Sequence, residues 1–290
     1  MKPLIIDISE WQVPAKMNYA TLAKQIDHVI VRIQYGSAYL DKHYVSHIKN
    51  FQACGIPVAV YAFVRGINHH DMEHEAQTFY QRAKEFQPTF YWLDVEEVTM
   101  ADMRGGVEAF RRKLKDLTGA KVGAYIGHHL YKQLNLVTEN FDGIWLPTYG
   151  RDTGTYQGVN PSVTQRYDLH QYTSRGRLNG YNGDLDLNRL TGQKNLNYFT
   201  GEPLKDLQWG ISEPGHFKLH SAIHLRCAPT TNALKIATLK AGEVLKYDAF
   251  AHENGYVWLR QIRQDGTFGY LATGKSDGQK RTEAPWGTFF

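Results

Sequence analysis

The residues best suited to chemistry are carboxylates placed at the ends of apolar runs. Tyr91-Trp92-Leu93-Asp94-Val95-Glu96-Glu97 reads as a strand running into acids. Side chains two apart on a strand share a face, so Asp94 and Glu96 point the same way with Val95 opposite. Acids at the end of an apolar strand resist burial unless they have partners or a task. Asp7 closes the run from Leu4 to Ile8 in the same manner, and Asp186 lies within Gly183-Asp184-Leu185-Asp186-Leu187-Asn188. Crowded carboxylates raise one another's pKa, so that one keeps its proton beside an ionised neighbour. Glycoside cleavage uses that combination. A single D-x-E has a plainer reading as well, because acids at strand ends also cap helices. Four acids at matching positions tip the balance toward catalysis.

The elements that would position them are short and regular. Leu4 to Ile8, Val29 to Ile33, Val58 to Val64, Phe90 to Val95, Lys121 to Ile126, Gly143 to Tyr149, Arg166 to Tyr172 and Asp184 to Leu187 read as strands. Several are near-continuous in Val, Ile, Leu and Tyr, the pattern of parallel strands covered on both faces. Between them Tyr39 to Cys54, Met72 to Phe86 and Met103 to Leu117 return an apolar residue every three or four positions, as helices do. Eight strands alternating with helices predict an α/β fold, a closed TIM-like β/α barrel over residues 1–190. First and last strands are neighbours in such a barrel, which would set Asp7 against Asp186, with Asp94 and Glu96 across the mouth. The length is short beside the ~250 residues typical of the fold, so the later crossovers are expected to be loops.

After Leu190 the texture changes. Residues 191–213, rich in Gly, Pro, Asn and Lys, read as a linker. Residues 214–290 alternate in short strands, among them Ala222 to Arg226, Val244 to Tyr247, Tyr256 to Leu259 and Gly269 to Leu271. Glu253-Asn254-Gly255 and Gln264-Asp265-Gly266 are hairpin signals between some of them. A small all-β barrel is expected there.

Composition narrows the function. The net charge is +4, and from Thr191 onward 12 basic residues face 9 acidic ones, so the surplus sits in the C-terminal third. That suits an anionic polymer weakly, and without a dense Lys/Arg run it does not suggest nucleic acid. No stretch approaches the ~18 apolar residues of a membrane span, and the opening apolar run is too short for a signal peptide. Export would then depend on another protein. Cys54 and Cys227 are too far apart in sequence for a metal knuckle and are expected as buried reduced thiols. His70 and His74 share a helix face, but His74-Glu75-Ala76-Gln77-Thr78 lacks the second His of a zinc protease helix, so no metal is expected. No G-x-S-x-G supports serine chemistry.

Taken together, these segments resemble family 25 of the glycoside hydrolases, lysozymes common among phage endolysins and bacterial autolysins. The resemblance rests on Ile6-Asp7-Ile8-Ser9 with Trp11-Gln12, on Gly55 to Phe63, and on Leu93-Asp94-Val95-Glu96. Ile144 to Tyr149, Gln171-Tyr172-Thr173-Ser174 and Leu185-Asp186-Leu187-Asn188 then follow in the family's order. Two departures stand out. Val31-Arg32-Ile33-Gln34-Tyr35-Gly36 replaces the usual Lys and acidic residue, and His170 stands where an aromatic often precedes Gln-Tyr.

The resemblance implies an endo-acting muramidase that cuts peptidoglycan glycan strands without a cofactor. It makes Glu96 the proton donor and gives Asp94 the task of helping a 2-acetamido group attack or of stabilising charge. Asp7 and Asp186 would shape the field and hold water or sugar. Retention with substrate assistance and inversion through an activated water both remain open. Tyr61, Tyr125, Trp145, Tyr149, Gln171 and Tyr172 stand where they could touch sugar, with core packing the plainer role for any single ring. Arg32 either reaches the acids or lies on the surface. The last third resembles bacterial SH3-like wall-binding domains, its ligand unspecified. The chain is expected to act as a monomer, made in a host cytoplasm and released to the wall. The competing classes are a non-catalytic wall-binding protein and a barrel hydrolase of another amino-sugar polymer such as chitin.

Overall fold

The computed structural model describes residues 4–201, 214–226, 229–231, 235–263 and 268–290. The chain divides into two compact units, one of Met1–Phe51 and Ile56–Glu202, the other of Gln52–Gly55 and Pro203–Phe290.

In the first unit, β1 (Ile5–Ile8), β2 (His28–Tyr35), the two-residue β3 (Tyr39–Leu40), β4 (Val58–Phe63), β5 (Phe90–Val95), β6 (Lys121–Ile126), β7 (Ile144–Pro147), β8 (Leu169–Gly176) and β9 (Leu185–Leu190) form one sheet. Its order is β1-β9-β8-β7-β6-β5-β4-β2-β3, and β1 also pairs with β2, which closes eight strands into a barrel. From β1 through β2, β4, β5, β6, β7 and β8 neighbouring strands run parallel. β9 runs antiparallel to both β8 and β1, a reversal that alternation of elements alone does not reveal.

The strands are buried on both sides, as their Val/Ile runs require. Outward residues such as Val29, Val31, Val58, Val60 and Leu93 pack under the helices. α3 (His69–Ala83) contributes Met72, Ala76, Phe79 and Ala83, and α4 (Met103–Leu117) contributes Met103, Val107, Phe110 and Leu114, each a single stripe at helical spacing. Asn68 and Asp102 cap these helices by accepting the N–H groups of Asp71 and Gly105. α1 (Tyr19–Ala23) and α2 (Tyr44–Ala53) cover the early crossovers. After β6 only the four-residue α5 (Tyr131–Leu134) and a 3-10 turn at Thr138–Asn140 intervene before β7, and no helix separates β7, β8 and β9.

Inside the barrel the floor is aromatic. Phe90, Trp92, Tyr125, Trp145 and Leu169 meet Ile5, Ile30 and Ala59. Gly123 and Gly143 make room for the Trp92 indole, which a Cβ at either would strike at 2.5 or 2.9 Å. Phe199 of α6 (Leu196–Thr200) fills the barrel's floor, stacked on Trp92 and fully buried. Part of the stretch expected as a linker from residue 191 is therefore packed against the barrel interior; residues 202–213 lie outside the described part.

From residue 214 on, the described residues of the second unit form β-strands and their connections. β10 (Gly215–Leu219), β13 (Val244–Tyr247) and β17 (Gly287–Phe289) form one sheet; β11 (Ile223–Arg226), β12 (Lys235–Leu239), β14 (Ala249–Glu253), β15 (Tyr256–Ile262) and β16 (Phe268–Lys275) form another. Phe217, Leu225, Leu245, Leu259 and Leu271 make its core. The β14–β15 hairpin turns on Asn254 and Gly255, both at positive φ as a tight Asn-Gly turn requires. The turn expected at Gln264-Asp265-Gly266 and the thiol of Cys227 lie outside the described residues, and Cys54 is partly exposed rather than buried. Among the described residues no helix is long and apolar enough to cross a membrane.

Candidate active site

The inward face of β5 carries Phe90 and Trp92 into the aromatic floor, and two residues on carries Asp94, then Glu96, to the mouth. The same alternation lifts Asp7 above Ile5, Arg32 above Ile30, Tyr61 above Ala59 and Gln171 above Leu169. These residues line a cavity of about 210 Å³ together with Tyr125, Trp145, Tyr149 and Asp186. Of the eleven residues expected at the site, Tyr172 alone is not brought there. Adjacent to Gln171, it takes the opposite face of β8, where its ring meets Tyr156 and His170 edge-on at 5.9 and 6.4 Å.

Asp7 is held most tightly. Gln171 Nε2 donates to both its oxygens at 2.9 and 3.1 Å, and Asn188 Nδ2 donates to Oδ1 at 2.7 Å. The far ends of both amides are also engaged. Tyr125 and Tyr149 hydroxyls donate to Gln171 Oε1 at 2.9 and 2.6 Å, and the Trp145 indole donates to Asn188 Oδ1 at 2.8 Å. Tyr125 and Trp145, 5% and 2% exposed, therefore serve as floor and hydrogen-bond donors more than as faces for a sugar.

The other acids are less satisfied. Asp94 is buried, and its Oδ1 is without a hydrogen-bond partner. Burial lifts Asp94 well above the ordinary carboxylate range, and the charges of Glu96 and Asp7 add to it. Asp186 faces Asp7 across the β1–β9 pair and is pushed up to about 9 by burial first and then by Asp7. Burial also raises Glu96, with His129 opposing. Asp7 rises only to about 6, because the Asn188 and Gln171 bonds work against its burial.

Arg32 lines the cavity and is buried, but its hydrogen bonds go to two acids outside the expected four. Its Nε donates to Asp41 at 3.0 Å and its Nη2 to Glu10 at 2.9 Å, while Tyr39 donates to the other Glu10 oxygen at 2.6 Å. Asp41 is fully packed and accepts the N–H groups of Glu10 and His43 besides. Sequence reasoning missed Asp41, Glu10 and Asn188, as well as Ser9, Trp11 and Phe63, which also line the cavity. Trp11 stands 74% exposed at its edge, and its place in the opening Trp-Gln motif was the available signal. His70 and His74 are exposed on α3, away from these acids, and among the described residues no group of three or more His, Cys, Asp or Glu is placed to hold a metal ion.

Comparison with known proteins points one way. The family described as glycosyl hydrolases family 25 matches residues 6–181. Among solved structures, the chain is similar to GHIP, a glycosyl hydrolase 25 of Streptococcus pneumoniae described as a virulence factor participating in host cell invasion. Identity there is 38%, over 69% of this chain and 94% of that one, with a TM-score of 0.66. The catalytic domain of endolysin ply40 from bacteriophage P40 of Listeria monocytogenes is similar at 31% identity, over 66% of this chain and 94% of that one, with a TM-score of 0.62. A family 25 glycosyl hydrolase from Bacillus anthracis, at 22% identity and a TM-score of 0.56 over 70% of this chain and 94% of that one, shares the fold. No curated protein matches the chain.

Proposed function

The chain belongs to glycosyl hydrolase family 25, and from that premise we propose that it is an endo-acting muramidase cutting the β-1,4 bond between N-acetylmuramic acid and N-acetylglucosamine. The observation that carries this reading is the set of four carboxylates around one barrel mouth, with Asp94 and Glu96 on the same inward face. Glu96, shifted toward its protonated form by burial, gives its proton to the leaving sugar oxygen. Asp94 offers its unpartnered Oδ1 to the 2-acetamido group or to the positive charge developing at the anomeric carbon. Asp7 supplies fixed negative charge, and Asp186 holds sugar or water from the facing strand. Arg32, Tyr61, Tyr149 and Gln171 line the sugar-binding walls.

The likeness to a phage endolysin catalytic domain supports delivery as a phage or prophage endolysin, accumulating in a host cytoplasm and reaching the wall after release. The C-terminal all-β unit is proposed as an SH3-like wall-binding module, and the enzyme as a monomer without cofactor. The deciding experiment measures turbidity loss and new reducing ends from purified Gram-positive walls, for the wild type and Glu96→Gln, with chitin as control. Reducing ends from walls alone, absent in Glu96→Gln, are expected. Cleavage of chitin instead would reassign the polymer, and binding without any reducing ends would leave a wall-binding protein.

A further inference from the structure

Asp7 is contacted by two amides, and one of them is not free to choose which end it presents. The indole N–H of Trp145 can only donate, so the group it meets on Asn188 must be the carbonyl oxygen. Asn188, fully buried, is thereby obliged to turn its NH2 toward Asp7 Oδ1. Gln171 Oε1 accepts from the Tyr125 and Tyr149 hydroxyls, and its Nε2 adds two further contacts. Two amide nitrogens making three contacts with one carboxyl favour its ionised form over its protonated one.

We propose that Trp145 and Asn188 form a relay that makes Asp7 the member of the β1–β9 carboxyl pair that ionises first, so that the proton shared across that pair resides on Asp186. The proposal rests on the muramidase reading only for its kinetic consequence. Trp145 and Asn188 are positioning residues; neither need touch the sugar. The groups facing Asp7 make the device necessary. Glu96 at β5 bears on it with negative charge, Asp7 in turn raises Asp94 and Asp186 of β9, and Tyr61 of β4, Tyr125 of β6 and Tyr149 beyond β7 close around it. Arg32 of β2 is the cationic group among the cavity-lining residues, and its Nε and Nη2 are committed to Asp41 and Glu10. Without directed donors, burial and repulsion would return the proton to Asp7, and two acids across one strand pair would exchange roles.

The test is a 13C titration of the Asp7 carboxyl in the full-length protein, assigned by its loss in Asp7→Asn. It is paired with the acid limb of kcat/KM on soluble peptidoglycan glycan. Trp145→Phe keeps an aromatic ring in the floor and deletes the indole N–H. It should move both the titration and the acid limb upward by about one pH unit, as loss of an oriented donor to the charged form predicts. Asn188→Leu should move them further, and the double variant no further than Asn188→Leu alone, because Trp145 acts only through Asn188. An unchanged Asp7 titration in folded Trp145→Phe, or shifts that add in the double variant, would overturn the relay. Should the wild type release no reducing ends from walls, the functional reading fails while the titration still decides the relay.

Discussion

Asp7 and Asp186 stand directly opposite each other across the antiparallel β1–β9 pair, two carboxylates in register at the barrel mouth. Residues so paired bring their Cβ atoms to about 5 Å, where like charges destabilise a sheet. Only one can be ionised cheaply, and the donors converge on Asp7. The resulting frustration is a cost to the fold that a catalytic site tolerates and a structural one would not.

That cost has a pH signature. Asp186 titrates near 3.8 when unfolded and is raised to about 9 in the fold. The native state keeps a proton that the unfolded chain releases, so this contribution to stability is complete below about 3.8 and drains away as pH rises toward 9. Asp186→Asn escapes the loss. Thermal unfolding should show it more stable than the wild type at pH 8 by roughly 1–2 kcal/mol, a few degrees in Tm, because the remaining acids redistribute part of the proton. Near pH 4 the two should nearly coincide. Coincidence at both pH values would mean the pair is not strained.

Asp94→Asn tests a different point. The side chain is buried, and its Oδ1 has no partner, so an amide of the same shape should leave folding largely intact. What disappears is a charge or acceptor directed at the reacting sugar, for which a loss of about 10²–10³ in kcat is expected. A variant retaining a third or more of the wild-type kcat on soluble glycan would remove Asp94 from the chemistry.

The Arg32 clamp predicts a stability effect from a residue outside the cavity. Asp41→Ala strands the guanidinium Nε and two backbone N–H groups, those of Glu10 and His43, in a packed setting. Removing one partner of a buried pair costs about 3–5 kcal/mol, seen as a large fall in the denaturation midpoint. Asp41→Asn, which can still accept from Arg32, should lose markedly less. Equal losses would show that the acceptor geometry, and not its presence, matters.

What could be seen in the sequence, and what could not, follows from the range of the forces involved. The alternation of Asp94 and Glu96 is local, so their shared face was legible, as were the stripes of α3 and α4. Tyr172 was misplaced because a strand's two faces look alike until its register is known, and Gln171 took the inward one. The reversal of β9 depends on the loop between Gly176 and Leu185, not on any residue within the strand. Asn188 and Asp41 matter through partners far off in the chain, Ile5 to Asp7 for the first and Glu10 for the second. No local pattern announces such contacts. The five-residue α6 hides in a polar stretch, where only its buried Phe199 betrays it.

That last element sets where the catalytic unit can be cut. Phe199 lies against Phe90 and Trp92 at 5.4 and 6.0 Å, and Lys121 Nζ donates to the Tyr198 carbonyl at 2.6 Å. Lys194 Nζ, just ahead of the helix, reaches the Asp142 carbonyl and the Asp168 carboxylate. A fragment of residues 1–190 loses all of these and opens the aromatic floor to water, a cost of at least the 3–5 kcal/mol of one buried phenylalanine. A fragment of residues 1–202 keeps them. Thermal unfolding should find the longer fragment cooperative and active on soluble glycan, with its binding to intact walls weakened by loss of the all-β unit. The shorter one should unfold at a much lower temperature. If both melted alike, α6 would be an appendage and the barrel complete at Leu190. If the longer fragment bound walls as well as the full chain, the C-terminal unit would have some task other than holding the wall.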